Sequence, residues 1–461
     1  MTQRRQPSLL RDIGTVGLAA GIVNVTIGGG IFRLPAAVAG ILGTQAPLAF
    51  VVCAVVMGLI VAGFAEAGRR VDLTGGPYAY VEVAFGPCAG FLAGVLVWLL
   101  GTTAVAAVST VFADQVGGLV PALSGSGGRI VLLIATFGLL AAVNIAGVGM
   151  GTRFNALATV AKLLPLAVLI VAGAFAIHPA NLSFREPIAP ASLARGSMLL
   201  IFAFCGVESA LVPSGEIRDV GRTVPRAVTL AMVVVTFVYL AIQVVAQGIL
   251  GAGLAAETAP LAAAAGRVLG PWGGRMLLAG AAVSMFGYVS GMTLAVPRAL
   301  YAFARDGFLP RAVGAVHPRF RTPYVAIALQ TALVVSLGIT SGFERLAILA
   351  NLSTLLLYAG CSLAAWRLAA RDAGTASGAA GGPRAAGGPR GAAAGARRAA
   401  VVACAACAAI AWLLTSITWP EWRVAFVVLG AAGLVYVLTR RARGGAGRAE
   451  GPDQDVRATN G

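Results

Sequence analysis

Long apolar runs constrain this chain more than any other feature. Residues 227–250, AVTLAMVVVTFVYLAIQVVAQGIL, carry no charge across a length that matches hydrocarbon. A membrane-crossing helix needs about 20 apolar residues, and a barrel strand only about 10. Hydrocarbon offers the backbone no partners, so runs of this length satisfy their own N–H and C=O groups as helices. The chain is 58% hydrophobic and 11% charged, against about 25% charged in soluble domains. The expected fold class is an all-α integral membrane protein, with the lipid bilayer as its first partner.

Such runs recur along the whole chain. Twelve spans are expected, near 13–40, 46–68, 88–117, 129–148, 154–177, 194–214, 225–250, 274–304, 323–341, 344–367, 400–417 and 423–440. Several exceed the bilayer thickness, which calls for tilt, a break or an extension into water. Residues 371–398, rich in Gly, Ala and Arg, read as a flexible linker ahead of the last pair of spans at 399–440. The tail 441–461 reads as disordered.

The net charge of +17 is a membrane-topology signal. Arg4, Arg5, Arg69, Arg70, Arg222, Arg226, Arg319, Arg321, Arg440 and Arg441 fall on the side of both termini. The opposite side has the sparser set Arg129, Arg185, Arg195, Arg267, Arg275, Arg345 and Arg423. Positive residues stay inside, so both termini, including residues 1–12, are expected in the cytoplasm and the spans in the cell membrane. Nucleic acid is not an expected partner, because the arginines sit in short loops between spans.

Catalytic chemistry finds little support. Both histidines, His178 and His317, precede prolines in loops, and the six cysteines fall in or beside apolar segments without metal-ligand spacing. No HExxH, GxSxG or paired catalytic carboxylates stand out. The chain is not expected to be an enzyme, and neither cofactor nor metal is expected.

Two spans contain glycine where a straight helix gains nothing from it. The first break is Ile27-Gly28-Gly29-Gly30, and the second runs through Phe202-Ala203-Phe204-Cys205-Gly206-Val207-Glu208. Unwinding there frees N–H groups that suit a carboxylate and carbonyls that suit an ammonium. Close helix contact through small residues is the competing reading of a glycine run. Paired breaks in corresponding places of two halves point to a binding site at the midplane. An acid inside a span is a functional candidate by default. Glu208 could bind a proton, pair with a cation, or hold the break open by a structural hydrogen bond.

Lys162 is the single lysine among 34 basic residues, and it lies in the apolar run ATVAKLLPLAVLIVAGAFAI. A buried lysine needs carbonyls, hydroxyls or a carboxylate, or else snorkels to an interface. Unlike arginine, a buried lysine can give up its proton.

Four stretches in order give the chain a family resemblance. GIVNVTIGGGIFRLPAAVAG, FAEAGRRVDLTGGPYAYVEVAFGP (with Glu66, Gly75, Gly76, Pro77, Tyr78 and Tyr80), FAFCGVESALVPSGEIRDVGRTVPRA and VPRALYAFARDGFLPRAVGAVHPRFRTPYVAI resemble the amino acid–polyamine–organocation superfamily over roughly residues 12–370. The resemblance implies a five-plus-five inverted repeat, residues 13–177 and 178–370, with two extra C-terminal helices. It implies secondary active amino acid transport by alternating access. The substrate carboxylate would meet the backbone of Gly28, Gly29 and Gly30. Its ammonium would meet carbonyls around Ile27 and from Phe202 to Phe204. Lys162 would fill the space that sodium takes in sodium-coupled relatives, with Ser284 among its partners. Many relatives carry a serine where this chain has Gly29, so the backbone alone would serve the carboxylate there.

The expected function is a sodium-independent amino acid permease, coupled to protons, with a neutral amino acid as the default substrate. An obligate exchanger and a non-transporting amino acid sensor are the alternatives. Arg69 with Glu66, and Arg298 and Arg305 with Asp306 or Glu216, are expected as ion pairs on the cytoplasmic side.

Overall fold

The computed structural model describes residues 14–68, 77–147, 152–183, 187, 189–206, 220–378 and 388–449. Among the described residues every regular element is helical. The helices are α1 Thr15–Thr26, α2 Leu34–Leu42, α3 Ala46–Gly68, α4 Pro77–Phe85, α5 Pro87–Leu119, α6 Ser126–Ile145, α7 Thr152–Gly173 and α8 Pro190–Phe204. They continue as α9 Val220–Leu250, α10 Pro260–Ala295, α11 Pro297–Arg305, α12 Tyr324–Thr340, α13 Phe343–Gly378, α14 Gly388–Leu414 and α15 Trp419–Ala449.

Eight helical stretches are long and apolar enough to cross a membrane, and four shorter apolar helices accompany them. The four are Thr15–Thr26, Ala161–Ala176, Pro190–Phe204 and Tyr324–Thr340. Among the described residues each expected run contains helix, and residues 207–214 of the run 194–214 lie outside them. The first is divided, α1 and α2 being separate helices with a 3₁₀ turn, Gly29–Phe32, between them. Proline opens many elements, at Pro77, Pro87, Pro190, Pro260 and Pro297. At a first turn its missing N–H costs nothing and its fixed φ suits the helix. Within α10 the chain kinks at Gly270, with φ 70°, just before Pro271.

Helix reaches further than composition implies at the C-terminal end. α13 continues to Gly378, α14 begins at Gly388 and α15 ends at Ala449. Residues 371–378, 388–398 and 441–449, expected as linker and tail, are therefore helical. Alanine favours helix more than any other residue, and a helix already anchored in a bundle extends without a new nucleation cost. Residues 379–387 and 450–461 lie outside the described residues.

α13 and α5 form the centre. α13 packs on α5, α14, α4, α3 and α8, while α10 packs on α7, α5 and α9. Of the apolar stretch of α13, 72% is buried, against 6% of that of α15, which puts α15 on the lipid-facing rim. Arg195 at the start of α8 holds Glu421 at the start of α15 through two bonds, of 2.8 and 3.0 Å. α1 lies along α9, and α2 lies on α8. The two broken helices thus share one core with α9 behind them.

Candidate functional site

α1 stops at Thr26. Ile27 leaves helical geometry at ψ 79°, and Gly28 is extended at φ −104° and ψ −160°. A 3₁₀ turn follows, with the N–H groups of Gly29 and Gly30 at its start. The first N–H groups of any helix have no partner inside it. A Cβ built on Gly28 would meet only the carbonyl oxygens of Val25 and Thr26, at 3.8 Å. Its surroundings are therefore open. Gly29 is closed in: a Cβ there would stand 2.9 Å from Val108 Cγ1 of α5 and 3.3 Å from Met285 Cγ of α10. A side chain at Gly29 would have to displace Val108.

The second stretch also leaves helical geometry, and the residues after Gly206 lie outside the described ones. α8 ends at Phe204, with Cys205 extended at φ −62° and ψ 149°. Gly206 has φ 108°, a conformation that costs an L side chain and not glycine. The carbonyls of Phe202, Ala203 and Phe204 belong to the last turn of α8, where four carbonyls lack helical partners.

Three contacts bring the breaks together. A Cβ on Gly206 would lie 3.1 Å from Val25 Cγ1 and 3.6 Å from the Thr26 backbone. A Cβ on Gly30 would lie 2.8 Å from the Phe202 ring. Tyr239, fully buried on α9, sets its hydroxyl between the Thr26 carbonyl at 2.8 Å and the Ala203 carbonyl at 2.9 Å. One phenol carries one proton and donates to one carbonyl at a time. The pair of carbonyls thus keeps acceptor capacity, which suits a group with several N–H donors.

Aromatic rings wall this region. Phe204 stands edge-on to Tyr239 at 5.3 Å, and Phe202 edge-on to Phe343 at 5.5 Å. Asn351 on α13 reaches across to α8, its Nδ2 donating to the carbonyls of Met198 at 2.7 Å and Leu199 at 3.3 Å. That anchors α8 about one turn ahead of its break. Thr26 Oγ1 is buried with no protein partner.

Lys162 is buried on α7, and its Nζ donates to the carbonyl of Asn24 near the end of α1. α7 meets α10 closely: a Cβ on Gly280 would stand 2.3 Å from the Ala161 carbonyl. Ser284 lies one turn further along α10 and is buried, without a bond to the amine. The structure therefore ties the lysine to the first broken helix and leaves Ser284 nearby as a neighbour on α10.

Glu208 lies outside the described residues, as do Arg69 and Glu216. Arg305 meets Asp306 at 3.3 Å, with both side chains at least half exposed. Arg298 instead donates to the Leu294 carbonyl of its own helix, at 2.6 Å. Tyr239 and Asn351 went unmarked in the sequence. Each is a polar group in an apolar run, and that was the available signal, but a tyrosine in such a run reads equally as packing.

Two charged cavities open beside the loops that follow α5, α9 and α12, of about 940 and 540 Å³. Asp114, Arg129, Glu257 and Arg275 line the larger, and Arg33, Arg195, Glu344 and Glu421 line the smaller. Arg33, just past the first break, donates to the Glu257 carbonyl at 2.5 Å and so ties the turn to the loop between α9 and α10. Among the described residues no cluster of three His, Cys, Asp or Glu could hold a metal ion.

The sequence has counterparts among known proteins. The sequence profile described as "Amino acid permease" matches residues 13–373. The serine/threonine exchanger SteT of Bacillus subtilis is 30% identical over 362 residues, covering 76% of this chain and 81% of its own. An uncharacterized transporter of Mycobacterium tuberculosis is 32% identical over 362 residues, covering 77% and 78%. The branched-chain amino acid permease BcaP of Bacillus subtilis is 25% identical over 379 residues, covering 78% and 81%. The chain belongs to the amino acid permease family of the amino acid–polyamine–organocation superfamily.

Proposed function

We propose that this permease is a secondary active, sodium-independent transporter that carries a neutral amino acid together with a proton by alternating access. The observation that carries this reading is the apposition of the two breaks, bridged by the hydroxyl of Tyr239. The carboxylate binds the backbone N–H groups of Gly28, Gly29 and Gly30, the Gly28 N–H giving up its bond to the Thr26 carbonyl. The ammonium takes the carbonyls around Ile27 and Ala203, displacing the single donor that Tyr239 supplies. Phe202 and Phe204 wall the side-chain end, and Glu208 stays a candidate for the proton. Lys162 takes the place of a sodium ion by holding the end of α1, with Ser284 as its neighbour.

In this reading the chain crosses the cell membrane twelve times as a five-plus-five inverted repeat with two added helices, both termini in the cytoplasm. The bond from Arg33 to the Glu257 carbonyl closes the outer side over the site. Opening outward breaks that bond, and such an exchange of contacts between two discrete states is how switching transitions are built.

Obligate exchange is the second reading, favoured by the name of the serine/threonine exchanger at 30% identity. In that mechanism Lys162 stays charged and only anchors helices. The deciding experiment is uptake of a labelled amino acid mixture into sodium-free proteoliposomes. Accumulation in empty vesicles that follows an inward proton gradient and collapses with an uncoupler supports the symporter. Uptake only into vesicles preloaded with amino acid assigns exchange. No uptake under either condition turns the reading toward a non-transporting sensor.

A further inference from the structure

We infer that a groove at the terminus-side end of α5, α11 and α15 is a binding site for a phospholipid with a phosphoethanolamine head group. The groove has a volume of about 640 Å³ and lies well away from the helix breaks.

Its floor is apolar and built from small and flat residues. Gly90, Phe91, Gly94 and Val97 line it from α5, and Phe303 and Phe308 from α11 and the loop after it. Phe91 contacts Phe308 at 4.2 Å between ring centres and Tyr436 of α15 at 5.7 Å. Phe308 stacks on Tyr436 at 5.8 Å and 14°. From Pro87 to Val97 the helix advances about 15 Å, which is about half of a hydrocarbon core of about 30 Å. The groove therefore runs from the rim through the depth of one leaflet. A soluble ligand gains nothing from that length, whereas an acyl chain fills it. α15, which forms one wall, is the helix most open to lipid, so a chain enters sideways.

The rim supplies the head-group chemistry. Arg305 stands at the end of α11 and Arg440 at the end of the apolar stretch of α15, with Glu82 and Asp306 beside them. Two guanidinium groups and two carboxylates match a head group that carries one phosphate and one ammonium. Guanidinium binds phosphate as a fork, and an ammonium N–H donates to a carboxylate. A choline head group has no N–H to donate, and a glycerol head group has no cation to set against the acids.

Native mass spectrometry of the delipidated full-length protein tests the inference. The protein receives equal amounts of phosphatidylethanolamine, phosphatidylglycerol and phosphatidylcholine with matched chains. Expected is about fivefold greater retention of phosphatidylethanolamine, the factor for exposed ion pairs of about 1 kcal/mol. Glu82→Gln with Asp306→Asn removes that preference, and Arg305→Gln with Arg440→Gln weakens retention of all three lipids. Gly94→Leu fills the floor and displaces them. Tyr436→Ala, on the outer helix, serves where Gly94→Leu does not yield a monodisperse protein, and it too lowers retention. Equal retention of the three lipids by the wild type overturns the inference. So does preference for phosphatidylglycerol or phosphatidylcholine, or retention unchanged in the floor variants.

Discussion

Lys162 and Tyr239 do related work at the scale of single residues: each bonds a backbone carbonyl in the last turn of α1. For Lys162 the proposed function makes a sharp prediction. Lys162→Ala removes the donor to Asn24 and lowers uptake at least tenfold under every gradient. Lys162→Arg keeps a cation but one that does not release its proton. A proton carrier replaced in this way loses accumulation on a pH gradient and keeps counterflow between amino-acid-loaded vesicles. Equal retention of both activities in Lys162→Arg would show that the lysine only anchors helices. Tyr239→Phe keeps the ring packed on Phe204 and deletes the bridge between the breaks. A hydrogen bond of this kind contributes about 1 kcal/mol. The variant should unfold a few degrees earlier, and its KM should change more than its maximal rate, because the same carbonyls receive the substrate. An unchanged KM in radiolabel uptake would remove Tyr239 from the site. The lysine was legible in the sequence because it is the single one and sits in an apolar run. The tyrosine was not, since burial of a ring and bridging of two carbonyls leave the same mark on a sequence.

The broken helices set the next scale. Glycine runs inside apolar segments announced both breaks, because a helix interior penalises glycine and a membrane penalises free backbone groups. What the runs could not announce was the partner of each glycine. Gly29 is pressed against Val108 and Met285, and Gly30 against the Phe202 ring, whereas Gly28 faces open space. The three neighbours therefore differ in kind. Gly30→Ala forces the Phe202 ring off its edge contact with Phe343, and overpacking costs about 1–3 kcal/mol. Phe202→Leu in the same chain relieves the clash and restores part of the stability, as a thermal shift in detergent would show. Gly28→Ala makes only ordinary contacts, with the Val25 and Thr26 carbonyl oxygens, so its loss falls on substrate binding and leaves stability nearly unchanged. If Gly28→Ala and Gly30→Ala behave alike in both measurements, the division between an open and a packed glycine is wrong. Helix length at the C-terminal end was also hidden. The Ala-rich stretches beyond α13 and before α14 lack the apolar periodicity that identifies a packed face, yet their propensity alone continues the anchored helices.

At the scale of the whole molecule, orientation is decided by arginine placement, and that placement makes the last prediction. Turns at one end of the bundle carry Arg305, Arg311, Arg319 and Arg321, and those at the other carry the charged cavities around Arg129 and Arg195. The second group is balanced by acids: Arg129 faces Asp114 at 3.5 Å and Arg195 holds Glu421. Orientation follows the number of positive residues and not the net charge, so these acids leave the bias toward keeping the terminus side inside as it stands. Ser126 and Ala312 are exposed, in helix and turn at opposite ends of the bundle. Ser126→Cys and Ala312→Cys, each in a chain whose exposed Cys88 and Cys404 are replaced by serine, place a thiol on either side. A membrane-impermeant maleimide applied to intact cells should label Ser126→Cys and leave Ala312→Cys unlabelled until the membrane is opened. The reverse pattern would put both termini outside. It would also turn Arg33 and its bond to Glu257 into an inner closure, so that the cavities beside it would receive substrate from the cytoplasm. Labelling of both thiols in intact cells would mean that the two positions lie on one side of the membrane, and the five crossings expected between them would have to be redrawn.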